Sequence, residues 1–401
     1  MEYTFNRRIS GVRPSPIREI IKMVIANPSI IPLSTGNPSM ESIPVEQMHE
    51  IADEIFETCG GQALNYGATE GYRPLIETTK KRLMDAYGIG RDFDDLIITT
   101  GGQQGLYLPP SVLCDEGDTV IVESPTFVSA LIAFKENGCN VVGVDMDDEG
   151  IRIDGLLDAI KNNKNVKIVY LIPTFQNPRG TTMSLARRKE VYDICVKNNI
   201  VILEDNPYAE LRFSGEEVPP IKSFDEEGIV IYNGSYSKVL SAGMRLGFTC
   251  APKAIMQKLI IAKQGVDCHS NLFFQMATDM FFRKYGWDSH VQHIRTVCEH
   301  KARFMLDCLD KYMDKRVTWT KPEGGLFLWC TLPDGLDGYD FSTFACEKGV
   351  AVVPGCSFMV DDAAVCSAFR LNYSTPSDEN IEKGVQILAA AATEYIDSHK
   401  K

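Results

Sequence analysis

The sequence predicts an α/β chain in two parts, a large domain on a mostly parallel central sheet and a smaller α+β domain. Three observations carry this. Between about Asp94 and Pro252, short and nearly all-apolar runs alternate with amphipathic segments, the pattern of strands covered on both faces by crossover helices. After about Asp288 the order changes to one long helical stretch followed by strand-like pieces, which reads as segregated α+β. The 401 residues, 44% hydrophobic and 24% charged, suffice for a large domain with a smaller companion.

Taken in order, residues 1–37 are irregular and rich in proline (Pro14, Pro16, Pro28, Pro32), with only Ile17–Ala26 helical in pattern. They are expected to form an arm over the small domain, with 38–285 as the large domain and 286–401 as the small one. Leu96–Thr99, Thr119–Glu123, Asn140–Val144, Val166–Ile172, Ile200–Glu204 and Ile229–Tyr232 read as buried strands, and Leu246–Cys250 as a further one. Between them Ser184–Asn198 is helical, since Leu185, Val191, Ile194 and Cys195 share a face. Asp288–Met313 is a long helix, and Val317–Thr320, Gly325–Leu332, Val350–Val353 and Ala368–Tyr373 are the strands of the small domain.

A net charge of −13 argues against binding to nucleic acid or to an anionic membrane, both of which ask for a basic surface. No window approaches eighteen apolar residues, so no membrane span is expected. The twelve cysteines include no Cys-x-x-Cys pair and several sit inside apolar runs, as free thiols do. No apolar stretch follows Arg7-Arg8, so a secretory signal is not expected, and the chain reads as reduced and cytoplasmic. His290, His293 and His300 share a helical stretch without an evident third ligand, so no metal is expected.

In an open α/β sheet, ligands bind beyond the carboxyl ends of the strands. The first strand is followed by Thr99-Thr100-Gly101-Gly102-Gln103-Gln104-Gly105, small residues entering a helix, where free N–H groups suit an anion. Phe127, Asn177, and Asp205 with Tyr208 follow later strands. Alone, these read as a core ring, an Asn-Pro turn and a carboxylate that needs a cationic partner. The stretch Ser235-Tyr236-Ser237-Lys238-Val239-Leu240-Ser241-Ala242-Gly243-Met244-Arg245 adds an amine among hydroxyls, with a guanidinium seven positions on. A lysine of lowered pKa can form a Schiff base with an aldehyde, and hydroxyls with a guanidinium suit a phosphate. Pyridoxal 5'-phosphate (PLP) carries both groups.

Seven segments together resemble the class I/II aminotransferases of PLP-transferase fold type I. They are Pro14-Ser15-Pro16-Ile17-Arg18, Asn65-Tyr66-Gly67, Gly101–Gly105, Asn177-Pro178-Arg179-Gly180, Glu204-Asp205-Asn206-Pro207-Tyr208, Ser235-Tyr236-Ser237-Lys238 and Phe369-Arg370. The order and spacing are most similar to the branch of α-aminoadipate and kynurenine aminotransferases and the aminotransferase-like half of MocR regulators. The resemblance implies a homodimeric transaminase that passes an amino group from an α-amino acid to a 2-oxo acid such as 2-oxoglutarate. It makes Lys238 the Schiff-base residue and proton shuttle, and Asp205 the partner of the pyridine nitrogen. Tyr208 and Asn177 would meet the phenolate oxygen of the ring. Gly102, Gln103, Ser235, Ser237 and Arg245 would hold the phosphate, joined by Tyr66 from the neighbouring subunit. Phe127 takes the stacking position, and Arg370 grips the α-carboxylate, with Asn177 and Gly36 close to the substrate. Arg18 matches an arginine that meets the substrate side chain in aminoadipate-type relatives, while aromatic and aliphatic amino acids are also accepted there.

Three departures stand out. Pro109-Pro110 falls in the helix after the glycine-rich turn and is expected to kink or end it, at a cost of ~3 kcal/mol or more per interior proline. Phe127 replaces a tyrosine or tryptophan, and Asn37 follows Gly36 where relatives carry an apolar residue. A C–S β-lyase would keep nearly the same residues, and a MocR-like PLP sensor would keep the fold; fold alone does not choose among them.

Overall fold

The computed structural model describes residues 3–10 and 16–399. The alternating apolar runs pair into an eight-stranded sheet. From edge to edge its order is Asp94–Thr99, Gly247–Pro252, Val230–Ser235, Val201–Asp205, Val166–Leu171, Thr119–Ser124, Asn140–Asp147 and Gly150–Ile151. The run from Val230–Ser235 to Asn140–Asp147 is parallel throughout. Gly247–Pro252 is antiparallel to both neighbours, so Asp94–Thr99 points with the parallel set and these carboxyl ends share one edge. The chain reverses its direction of travel across the sheet between Thr119–Ser124 and Val166–Leu171, the switch point where such sheets open a crevice.

Because successive side chains alternate, the parallel strands feed two cores. Val120, Val122, Ile168, Leu203 and Ile231 face Leu106, Leu131 and Met256 on one side. Ile121, Val169, Ile202 and Val230 face Leu156, Val191 and Cys195 on the other. Ser184 caps the helix Leu185–Asn198 by accepting from Arg187 N. The helix Gly102–Leu113 corrects one expectation: it runs through Pro109 and Pro110 and ends three residues beyond them, with Cys114 N donating to Pro110 O at 3.0 Å. Both prolines are buried beside Leu106 and Leu108, and packing on the sheet offsets the lost backbone bonds.

A second, antiparallel sheet of four strands has the order Thr318–Trp319, Phe327–Thr331, Ala368–Asn372 and Val353–Pro354. The helices Trp287–Tyr312 and Asp378–Ser398 share its core, through Met305, Leu309, Val385 and Leu388. The N-terminal segment joins this sheet's surroundings. Ile31–Pro32 pairs in parallel with Val350–Ala351, Leu33 enters the same core, and Ile20 packs on Cys346 and Ala351. The apolar run 350–353 is therefore two short strands with different partners. The twelve cysteines are free thiols. No helix among the described residues is long and apolar enough to cross a membrane.

Candidate functional site

A cavity of about 500 Å³ opens where the carboxyl edge of the large sheet meets the N-terminal segment and the small sheet. Lys238 reaches it from the loop after the strand Val230–Ser235, and its Nζ donates to Gly36 O at 2.6 Å. Burial, with the Arg370 and Arg245 charges nearby, pulls its amine down to about 8. A lysine so placed keeps an appreciable neutral, nucleophilic fraction near pH 7.

Asp205 ends the strand Val201–Asp205 and is 4% exposed. Its carboxylate accepts from Tyr170 Oη at 3.0 Å and from Asn233 Nδ2 at 2.9 Å, two neutral donors from the flanking strands. Burial pushes the carboxyl up to about 7 against those bonds. Among the described residues no side-chain cation is bonded to it, so the charged form awaits a positive partner in the cavity. Tyr208, one turn on, is buried; burial raises its phenol, while the Arg370 charge and a hydrogen bond with Asn177 oppose the rise.

The glycine turn enters the helix Gly102–Leu113 with Gly101 at φ +73° and no side-chain cap, which leaves first-turn N–H groups for an anion. Ser237 Oγ accepts from Arg245 Nη1 at 3.4 Å, and Ser235 Oγ accepts from Ser237 N at 3.1 Å. Arg245 passes so close to Gly101 that a Cβ there would strike its guanidinium. Gly102, Gln103, Ser235, Ser237 and Arg245 all line the cavity.

Arg370 lies mid-strand in the small sheet, 5% exposed, in register with Trp329 and Val353. Its Nη1 donates to Asn177 Oδ1 at 2.8 Å and its Nη2 to Ser34 O at 3.2 Å, while its guanidinium carbon stands 4.0 Å from the Phe327 ring centroid. The buried Nε has no partner among the described residues. Each terminal nitrogen carries a second hydrogen, so donors remain for a carboxylate. Burial lowers the guanidinium to about 10.

The residues therefore fit PLP. A buried carboxyl lacks a cation where a protonated ring nitrogen would supply one. An amine of lowered pKa lines the same cavity, together with N–H, hydroxyl and guanidinium donors for a phosphate.

The family model for aminotransferase class I and II matches residues 28–388. The chain belongs to this family. It is an aminotransferase, and the class uses PLP. An aromatic-amino-acid aminotransferase of Thermococcus litoralis is 41% identical over 98% of this chain and 95% of its own. The crystal structure of Pyrococcus horikoshii kynurenine aminotransferase, in complex with PMP and with KYN as substrate and KYA as product, aligns with a TM-score of 0.93 and 38% identity, covering 99% of this chain and 98% of its own. An α-aminoadipate aminotransferase of Thermus thermophilus, complexed with N-(5'-phosphopyridoxyl)-L-leucine, aligns with a TM-score of 0.90 and 34% identity over 98% of each chain.

Of the residues singled out in the sequence of this aminotransferase, Gly36, Gly102, Gln103, Phe127, Asn177, Asp205, Tyr208, Ser235, Ser237, Lys238, Arg245 and Arg370 meet around the cavity. Tyr66 does not line it; its ring is 85% exposed, edge-on to His269 at 5.7 Å between centroids. The Arg18 side chain, like residues 11–15, lies outside the described part of the chain. The three histidines part ways: His290 bonds Val239 O, His293 bonds Glu41 O, and His300 bonds Asp378. Tyr170 and Asn233, which hold Asp205, escaped the sequence reading. The signal that marks Asn233 is an amide inside an otherwise apolar strand.

Proposed function

We propose that this aminotransferase converts large apolar α-amino acids, aromatic ones included, with a 2-oxo acid such as 2-oxoglutarate as acceptor. The observation that carries the reading is the make-up of the cavity wall. Beside Arg370 and Lys238, the cavity is lined by Ile17, Ile21, Leu106, Val128 and Ile132. An apolar side chain gains roughly 25 cal/mol per Å² from leaving water for such a wall. The relatives named for aromatic amino acids and for kynurenine agree with this choice. A dicarboxylic substrate such as 2-aminoadipate is the second reading, favoured by Arg18 and by the relative named for α-aminoadipate.

PLP supplies, when bound, a carbon that takes the amino group and a protonated ring that accepts electrons. On this reading Lys238 would hold that carbon, and its amine would serve as general base for the proton at the substrate Cα. Asp205 would keep the ring nitrogen protonated by its charge, and Tyr208 with Asn177 would donate to the ring oxygen. Gly102, Gln103, Ser235, Ser237 and Arg245 would bind the phosphate, with Tyr66 of the partner subunit completing the set. Phe127 would stack on the ring. Arg370 orients the α-carboxylate as a fork of donors, with Asn177 and Gly36 bounding the substrate. The reading further holds that residues 38–285 form the cofactor-binding domain, that 1–37 and 286–401 form the small domain, and that the enzyme works as a cytoplasmic homodimer.

The test is spectroscopic. Adding single amino acids to PLP-loaded protein should convert its visible band to the pyridoxamine form, fastest with aromatic and large aliphatic ones, and 2-oxoglutarate should reverse it. Fastest conversion by 2-aminoadipate would select the second reading. Pyruvate and ammonia without reversal would mean β-elimination and would refute both.

A further inference from the structure

Glu123 is a buried carboxyl with no place in the chemistry above. It is the second-to-last residue of the strand Thr119–Ser124, is 1% exposed, and does not line the cavity. Burial raises it to about 8, against hydrogen bonds from Ile172 N and Gln176, so it is mostly neutral at pH 7. Its Oε2 accepts from Ile172 N at 3.0 Å and from Gln176 Nε2 at 3.4 Å, and Oε1 has no partner among the described residues.

Gln176, also 1% exposed, spends its whole amide and backbone on one knot. Its Nε2 donates to Pro125 O at 2.8 Å as well as to Glu123. Its Oε1 accepts from Arg179 N at 2.9 Å. Its backbone N donates to Thr181 O at 2.8 Å, and its backbone O accepts from Gly180 N at 2.6 Å. These bonds close residues 176–181 into a loop and tie it to the 124–127 turn, which carries Phe127. Asn177 sits on that loop with its Oδ1 on Arg370. An Asn side chain has nearly the same shape when its O and N are exchanged, so its hydrogen bonds decide which end faces which partner. The backbone that carries Asn177 places the Oδ1 that accepts from Arg370 Nη1, one of the contacts that hold the guanidinium.

We propose that Glu123 and Gln176 are positioning residues for amino-acid binding, fixing the Asn177 loop and, through Asn177, the aim of Arg370 at the substrate carboxylate. The inference rests on the reading of Arg370 as the carboxylate-binding group. Neither residue touches the substrate. A misplacement of an ångström or less at a binding group is enough to cost about tenfold to a hundredfold in its use.

The experiment compares PLP-loaded wild type with Gln176→Ala, Gln176→Asn, Glu123→Asp, Glu123→Gln and Arg370→Lys, measuring kcat, KM for the amino acid and PLP affinity. Gln176→Ala, Gln176→Asn and Glu123→Asp are expected to raise KM about tenfold or more, with kcat within about threefold and PLP affinity unchanged. Glu123→Gln keeps the carbonyl acceptor and the neutral charge, and should restore KM to within about twofold. Gln176→Asn combined with Arg370→Lys should cost little more than Arg370→Lys alone, since both act through one group. If Arg370→Lys leaves KM unchanged, the carboxylate reading falls and this inference falls with it. If Arg370→Lys raises KM while the Gln176 and Glu123 variants do not, or if those variants lose kcat or PLP affinity as much as they gain KM, the pair is structural and only this inference is overturned. Gln176→Asn and Glu123→Asp keep the test alive should Gln176→Ala fail to fold.

Discussion

Among the described residues, neutral donors from Tyr170 and Asn233 alone stabilise the charge of Asp205, and that has a consequence for cofactor-free protein. Its carboxyl titrates near 7 in the folded state against an ordinary 3.8, so the folded chain holds this proton more tightly than the unfolded one. The associated stability is complete below about 3.8 and is lost as pH rises towards 7, a difference of roughly 4 kcal/mol. Glu123 titrates in the same sense. Asp205→Asn should therefore make the melting temperature of cofactor-free protein fall less steeply between pH 5 and 8, without flattening it. An unchanged slope would mean that the carboxyl finds a cation in the empty site. Lys238 has the opposite shift, down to about 8 from 10.5. The neutral amine attacks an aldehyde, so PLP uptake by cofactor-free protein should quicken about tenfold per pH unit below 8 and level off above it. Stopped-flow absorbance would show this, and a rise that continued to pH 10 would place the lysine in water. Lys238→Ala should yield no such band at any pH.

At the scale of elements, the helix Gly102–Leu113 is the hinge between cofactor chemistry and packing. It meets the strand Val230–Ser235 through Gly105, where a Cβ would run into Asn233 Oδ1 and Thr249 Oγ1. Asn233 in turn donates to both Gly102 O and Asp205. Gly105→Ala should cost about 1–3 kcal/mol by overpacking and loosen PLP binding with it, read by denaturant unfolding and by cofactor titration. Stability lost without any change in PLP affinity would uncouple the two. Elements of this kind divide into what a sequence can and cannot say. The parallel strands were legible because burial on both faces makes them continuous apolar runs between turns. The helix Leu272–Tyr285 was not, since Phe273, Phe274, Met276, Phe281 and Phe282 surround it with apolar side chains and erase the helical period. The run 350–353 showed its extension but not its two partners, because pairing is decided elsewhere in the chain. Of the residues proposed for the chemistry, Lys238, Asp205 and Asn177 stood out by their places after strands, and Arg370 by the family resemblance. Tyr170, Asn233, Glu123 and Gln176 did not, because each matters through a neighbour brought in by sheet register, such as Asp205 opposite Asn233.

For the whole molecule, the question is where Tyr66 finds its partner. The helix Val45–Ala63 ends beside it, and Phe56, Leu64 and Tyr66 are 56%, 73% and 85% exposed. Phe56 lies against Phe273 at 5.3 Å between ring centroids, and Tyr66 lies against His269, so this apolar edge is anchored on the segment 269–273. Leaving three large side chains in water forgoes roughly 1.5–3 kcal/mol for each that a partner could bury. The proposed homodimer would cover them and would bring the Tyr66 hydroxyl to the phosphate of the other subunit. Two substitutions separate assembly from cofactor binding. Leu64→Asp places a charge in that contact and should shift sedimentation from twice the mass of the chain towards the single chain, with weaker PLP binding following dissociation. Tyr66→Phe keeps the ring and removes only the hydroxyl, so it should leave the dimer intact while weakening PLP binding by about tenfold, as loss of one hydrogen bond to a charged group does. If Leu64→Asp stays dimeric, the contact lies elsewhere. If Tyr66→Phe binds PLP as tightly as wild type while Leu64→Asp dissociates, the subunits associate through this edge without sharing a phosphate site.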